Sequence, residues 1–184
     1  METFDCVNTT KTHSHIITDI RFRTNSTIFA TSSFDRSVRL WDATKPTISP
    51  AILTGHTEQV MSLDFHPRKI DLLCSCDNND VIRLWDINQR VCTHTTKGGS
   101  KQVRFQPCFG ELLATATGKN IKIYDVETNS LLYNLETLEL WSPGENNKTL
   151  VVPAHKGLIV GLADSPEGEL VASASHDHCV KLWK

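Results

Sequence analysis

A phrase of twelve or thirteen residues recurs along this chain, and such a recurrence constrains the fold more than any single motif does. It reads ATSSFDRSVRLWD from Ala30 to Asp42, CSCDNNDVIRLWD from Cys74 to Asp86, ATATGKNIKIYD from Ala114 to Asp125, and ASASHDHCVKLWK over the last thirteen residues, with a shorter echo, TLELW, ending at Trp141. Each copy alternates apolar and polar residues, passes a short polar turn, and alternates again up to an aromatic. That pattern predicts strand, tight turn, strand. A third strand precedes each full copy: IITDIRF (16–22), VMSLDF (60–65), KQVRF (101–105) and LIVGLAD (158–164). A fourth, such as PAILTG from Pro50, follows the aromatic. Helical periodicity is absent, so the reading is all-β.

The spacing sharpens it. Trp41 to Trp85 is 44 residues, Trp85 to Tyr124 is 39 and Trp141 to Trp183 is 42. His13, His56 and His155 precede their tryptophans by 28, 29 and 28 residues. Four strands per period of this length, with His near the start and Trp-Asp near the end, are the pattern of a propeller blade. One interval breaks it. Tyr124 to Trp141 spans only 17 residues, too few for a blade. The expected domain is therefore one truncated propeller over 1–184, with blades at about 13–54, 56–97 and 98–136, a half-blade at 137–153, and a last blade at 155–184. Residues 3–10 are expected to supply that blade's missing outer strand and close the ring.

Composition excludes several function classes. A net charge of −2 and a pI near 6.4 give no electrostatic footprint for nucleic acid and no basic strip for a membrane. The N-terminal METFDCVNTT lacks the basic-then-apolar pattern of a signal peptide, and no run reaches transmembrane length. The expectation is a soluble intracellular chain with its six cysteines reduced. Cys74 and Cys76 alternate in an apolar run and read as two thiols on one face of a buried strand.

The terminal His176-Asp177-His178-Cys179 invites a metal-site or catalytic-triad reading, as does the trio of Ser, His and Asp. Two observations weigh against both. The trio recurs at matching spacing in two copies, and no second ligand pair stands at zinc spacing. No Gly-x-Ser-x-Gly elbow is present either. The sequence thus reads as non-catalytic, with no cofactor, metal or small-molecule substrate.

These motifs cover nearly the whole chain and resemble the WD-repeat family. The resemblance implies a buried chain of hydrogen bonds within a blade, from an entering-loop His through a Ser or Thr and a turn Asp to the Trp. Matching residues are His13, Ser33, Asp35 and Trp41 in the first copy, and His155, Ser175, Asp177 and Trp183 in the last. The second copy keeps His56 and Trp85, but Asp77 and Asn79 stand at the Ser and Asp positions, so its network is expected to be altered or lost. In the third, Ala116, Gly118 and Tyr124 replace the set, leaving packing alone.

The wording inside the repeats, HIITDIRF, VMSLDFHP, LLCSCDNND, VRFQP and VASASHDHCVKLWK, is similar to the C-terminal propeller of the LEUNIG group of plant transcriptional corepressors. That resemblance implies a protein-interaction scaffold that docks transcription factors or corepressor components in the nucleus, and a chain lacking part of the propeller, as a splice form or truncated gene product would. It also implies partner contacts on the loop face, at Ser14, Ile16, Phe34, Thr57, Gln59, Asn78, Lys156, Leu158 and His176. The competing readings are an adaptor of another complex, such as a ubiquitin-ligase substrate receptor, and a product without function.

Overall fold

The computed structural model describes residues 6, 9, 12–45, 50–98, 101–117, 120–135, 139–140, 150–151, 159–164 and 171–183. They form seventeen strands in five antiparallel sheets. The first sheet runs β1 (Ile17–Phe22), β2 (Ile28–Ser33), β3 (Val38–Asp42) and β4 (Ala51–Leu53). The second runs β5 (Val60–Phe65), β6 (Leu72–Asp77), β7 (Val81–Asp86) and β8 (Val91–Lys97), and the third β9 (Gln102–Phe105), β10 (Leu112–Thr117), β11 (Asn120–Asp125) and β12 (Leu131–Leu135). Each is a meander in which consecutive strands pair. After the third sheet comes a two-stranded piece, β13 (Glu139–Leu140) against β14 (Leu150–Val151). The last sheet has three strands, β15 (Ile159–Asp164), β16 (Val171–Ser175) and β17 (Val180–Trp183). Of the expected closing segment 3–10, only Cys6 and Thr9 are described, and neither lies in a strand; the rest is outside the described residues.

Strand composition follows position in the blade. β6, flanked by β5 and β7, reads LLCSCD and is buried over nearly its whole length, whereas the outer β8, VCTHTTK, alternates half-buried and exposed. Thr-rich alternation suits an outer strand with one wet face. The innermost strands β1, β5 and β15 share a register irregularity, after Ile17, Val60 and Ile159 respectively, a bulge at one equivalent place in three blades. The turn after the second strand is also repeated: Arg36, Asp80 and His178, each five residues before its tryptophan, have φ of 67°, 60° and 65°. A left-handed residue there closes the tight hairpin.

Two cores hold the first three blades together, and both have the same construction. Cross-strand register places Leu63, Phe65, Leu73 and Trp85 on one face of the second blade, here called its front. That front packs on the back of the first blade, formed by Ala30, Val38, Leu53 and Leu40. The front of the third blade, Val103, Phe105, Leu113 and Tyr124, packs in turn on Cys74, Cys76, Ile82 and Leu84 at the back of the second. The two adjacent thiols are thus core side chains. The innermost strands are also tied by polar bonds. Thr18 donates to the Val60 carbonyl (2.7 Å), Ser62 donates to Asp19 (2.8 Å), and Arg104 donates to Ser62 (2.8 Å) and Asp19 (3.3 Å).

Candidate functional site

The entering loop of the first blade carries His13 beneath the sheet end. Its Nδ1 lies 2.8 Å from the Asp35 carboxylate and its Nε2 lies 2.8 Å from Thr31 Oγ1. The Trp41 indole N–H donates to the same hydroxyl at 2.9 Å. Burial pushes the Asp35 carboxyl up, but hydrogen bonds from Ser37, His13 and the Ser14 N–H outweigh it and hold the group well below the usual carboxylate range. The hydroxyl of this network is therefore Thr31, and not the Ser33 expected from sequence. Ser33 shapes the turn instead: its Oγ accepts the Asp35 N–H at 3.1 Å and donates to the His15 carbonyl at 3.3 Å.

The second blade corrects a further expectation. Its network is complete: His56 Nδ1 to Asp77 at 2.8 Å, Nε2 to Ser75 Oγ at 2.7 Å, and Trp85 N–H to Ser75 at 2.8 Å. Burial holds the His56 pKa below its ordinary value, against the pull of Asp77. A neutral ring donates from Nδ1 to the carboxylate and accepts the Ser75 hydroxyl at Nε2, which frees that oxygen to accept the indole N–H. Counted back from its tryptophan, Asp77 stands where Ser33 stands in the first blade, not where Asp35 does. The carboxylate thus reaches the same ring nitrogen from the strand end in one blade and from the turn in the other. In both blades its other oxygen accepts turn N–H groups, from Ser37 (3.1 Å), and from Asn79 (3.0 Å) and Val81 (3.1 Å).

The third blade is not held by packing alone. The Tyr124 hydroxyl, at the position of the tryptophans, donates to the Gly98 carbonyl at 3.1 Å. Gly98 has φ 128°, and a Cβ there would stand 2.3 Å from that hydroxyl, so Tyr124 depends on glycine for its approach. Thr115 occupies the register position of Thr31 and Ser75, and its buried Oγ1 has no hydrogen-bond partner among the described residues. In the last blade, pairing puts Ser173, not Ser175, at that position. Ser175 accepts the Asp177 N–H (3.2 Å) and Asp177 accepts the Cys179 N–H (3.0 Å), so both shape the turn as Ser33 and Asp35 do. His155, Lys156 and Leu158 are outside the described residues, as is the Trp183 side chain. His176 and His178 are exposed.

In these networks both imidazole nitrogens are engaged, and each hydroxyl is shared between an imidazole and an indole N–H. The arrangement anchors loops rather than presenting a base to a cleft. Among the described residues no group of three His, Cys, Asp or Glu side chains is placed to hold a metal ion.

The anchored loops build one edge of the blades. The Phe34 N–H donates to the Ile16 carbonyl and the Asn78 N–H to the Gln59 carbonyl, both at 2.9 Å, so entering loop and hairpin tip adjoin in the first two blades. Ile16 is 66% exposed, Ser14, Thr57 and Asn78 are exposed, and Phe34 and Gln59 are half-buried. Sequence reasoning overlooked Arg36 and Asp80, exposed at the same hairpin tips. It also missed Thr31 and Ser75, which a count of ten residues back from each tryptophan would have found.

The sequence profile of the WD domain, G-beta repeat, matches residues 4–42, 48–86 and 145–184. The chain is a WD-repeat protein. The stretch between the second and third matches includes the blade in which Tyr124 and Gly98 replace the tryptophan network. Along all of its length this WD-repeat chain is 45% identical, over 183 residues, to the transcriptional corepressor LEUNIG_HOMOLOG of Arabidopsis thaliana, of which it spans 21%. It is also 28% identical over 122 residues to the F-box/WD repeat-containing protein sel-10 of Caenorhabditis elegans, covering 64% of this chain and 20% of that protein. Among solved structures, a chain of the mitotic checkpoint complex superposes with a TM-score of 0.76 at 20% identity, over 97% of this chain and 64% of that one. That likeness concerns the fold. WD-repeat proteins are in general scaffolds that bind other proteins and carry no catalytic centre.

Proposed function

We propose that this WD-repeat protein is a non-catalytic docking platform of the corepressor type, acting in the nucleus by holding transcription factors or corepressor components on its loop edge. The supporting observation is the pairing of Ile16 with Phe34: a 66%-exposed aliphatic side chain beside a half-buried aromatic, fixed by a backbone bond on an anchored loop. A rigid apolar pair within a polar rim of Ser14, Thr57, Gln59 and Asn78 has the make-up of a binding hot spot. His176 belongs to the equivalent hairpin of the last blade and extends the same proposal, as do Lys156 and Leu158 by sequence. The kind of partner follows from the 45% identity to a protein named a transcriptional corepressor. Gene specificity would come from the partner, since the net charge of −2 favours no direct contact with nucleic acid.

The test is a binary interaction assay of the chain against a transcription-factor panel, repeated with Ile16→Asp and Phe34→Ala. At least one factor should bind, and each variant should weaken it by roughly tenfold or more, about 1.4 kcal/mol. Undiminished binding by both variants, or no binding factor, would refute the reading. The similarity to an F-box/WD protein supports a second reading, as a substrate receptor of a ubiquitin ligase. In that case the chain would co-purify with ligase subunits and bind no transcription factor.

A further inference from the structure

Among the described residues the interface between blades is used twice, while the front of the first blade and the back of the last are left open. Register makes Ile20, Leu63 and Val103 equivalent on the fronts of blades one to three, and likewise Phe22, Phe65 and Phe105. On blades two and three these side chains are buried beneath a neighbour's back: Leu63 and Val103 are 0% exposed, and Phe65 and Phe105 are 5%. On blade one the same positions face solvent, Ile20 at 53% and Phe22 at 61%. Phe22, Phe29 and Trp41 continue that open face as a row of contacting rings, with centroids 5.1 and 5.8 Å apart, and the exposed Ile52 flanks it.

The back of the last blade is the matching surface. In its hairpin Ala172, Ala174, Val180 and Leu182 hold the register positions that Ala30, Ser32, Val38 and Leu40 hold at the back of blade one. Val38 is fully buried under blade two, whereas Val180 is 72% exposed. Among the described residues the chain therefore displays a front and a back with no sheet packed on them, each the complement that the repeat itself pairs twice. Apolar rows of this kind on a soluble protein mark a contact surface.

We infer that the occupant of each open face is a second copy of this chain, joined head to tail, with the last blade of one copy seated on the first blade of the next as blade one is seated on blade two. The repeat itself supplies the partner's chemistry: Val180 in place of Val38, and Ile20 and Phe22 in place of Leu63 and Phe65. A front-to-back contact is heterologous, so it leaves each added copy with a new free face unless two copies close on each other.

Sedimentation velocity of the purified chain across about 1–100 µM decides the matter, with Phe22→Asp and Ile20→Lys as front variants and Val180→Lys as the back variant. Circular dichroism confirms that each is folded; the exposure of all three positions favours that, and the two front variants substitute for one another. The wild type should associate with rising concentration, and each variant alone should remain monomeric. A front variant retains a working back and Val180→Lys retains a working front, so an equimolar mixture of the two should form a one-to-one dimer and stop there. A wild type that is monomeric throughout, or a mixture that fails to pair, would overturn the proposal. The first of those results would mean that the chain covers its own open faces.

Discussion

Replacing Ser75 by alanine would test the hydrogen-bond reading of the blades at its most buried point. The Ser75 oxygen accepts from the Trp85 indole (2.8 Å) and its hydroxyl donates to His56 Nε2 (2.7 Å). Trp85 is 1% exposed and the His56 side chain likewise, so water cannot take over either role. The substitution strands two buried polar groups at about 1–3 kcal/mol each, a total of roughly 2–6 kcal/mol. For a chain of this size that corresponds to a melting temperature lower by about 4–24 °C. The same position in the other blades supplies internal controls. Thr31→Ala removes the same pair of bonds, but Trp41 is half-buried and open to water, so the loss should be smaller, about 1–2 kcal/mol. Thr115→Val removes a buried hydroxyl with no partner among the described residues and keeps the side-chain shape, so stability should be unchanged or rise by about 1 kcal/mol. Urea unfolding followed by tryptophan fluorescence gives all three values. Equal losses at the three positions, or a loss at Thr115 matching that at Ser75, would refute the reasoning.

Two titrations should oppose each other in acid. His56 is held neutral by burial, so its folded pKa lies below the unfolded value near 6.5, and the stability that depends on the neutral ring is present above pH 6.5 and lost as pH falls below it. A proton NMR titration should find His56 less than half protonated at pH 6.5; a midpoint at or above 6.5 would contradict its placement. Burial also pushes the Asp64 carboxyl up to about 6, against the donated N–H groups of Phe105 and Phe65. The native state then binds the extra proton between about pH 4 and 6, so this group's contribution falls as pH rises through that window, by up to about 3 kcal/mol. Asp64→Asn should abolish that slope, at a cost of about 1 kcal/mol for one lost side-chain acceptor of a backbone N–H, and leave the acid loss from His56 uncovered in urea midpoints taken from pH 4 to 8.

The architecture was readable because strand alternation and a period near forty residues are written in the side chains that make the two cores. The interval after Tyr124 is too short for a blade, and the two described strands that follow the third sheet, β13 and β14, pair with each other. The networks were read less well. Matching Ser33 with Asp77 by position assumed that equivalent places carry equivalent roles, whereas a carboxylate two residues earlier on the strand end reaches the same ring nitrogen. Thr31 and Ser33 lie two residues apart on one strand, so alternation alone does not choose between them; the count back to the hydroxyl from Trp41, set by the pairing of β2 with β3, does. The bond from Tyr124 to Gly98 was hidden for another reason. Its acceptor is a backbone carbonyl, which leaves no residue type to recognise.

The Arg104 guanidinium bears on how this chain would come apart. Repeat proteins are commonly treated as rows of units in which each feels only its immediate neighbours. Arg104 on the third blade bonds to Asp19 on the first as well as to Ser62 on the second, so removing the third blade also takes a partner from a unit it does not adjoin in sequence. Loss at one end is thereby felt two units away, and the first three blades should melt as a single cooperative block rather than one by one.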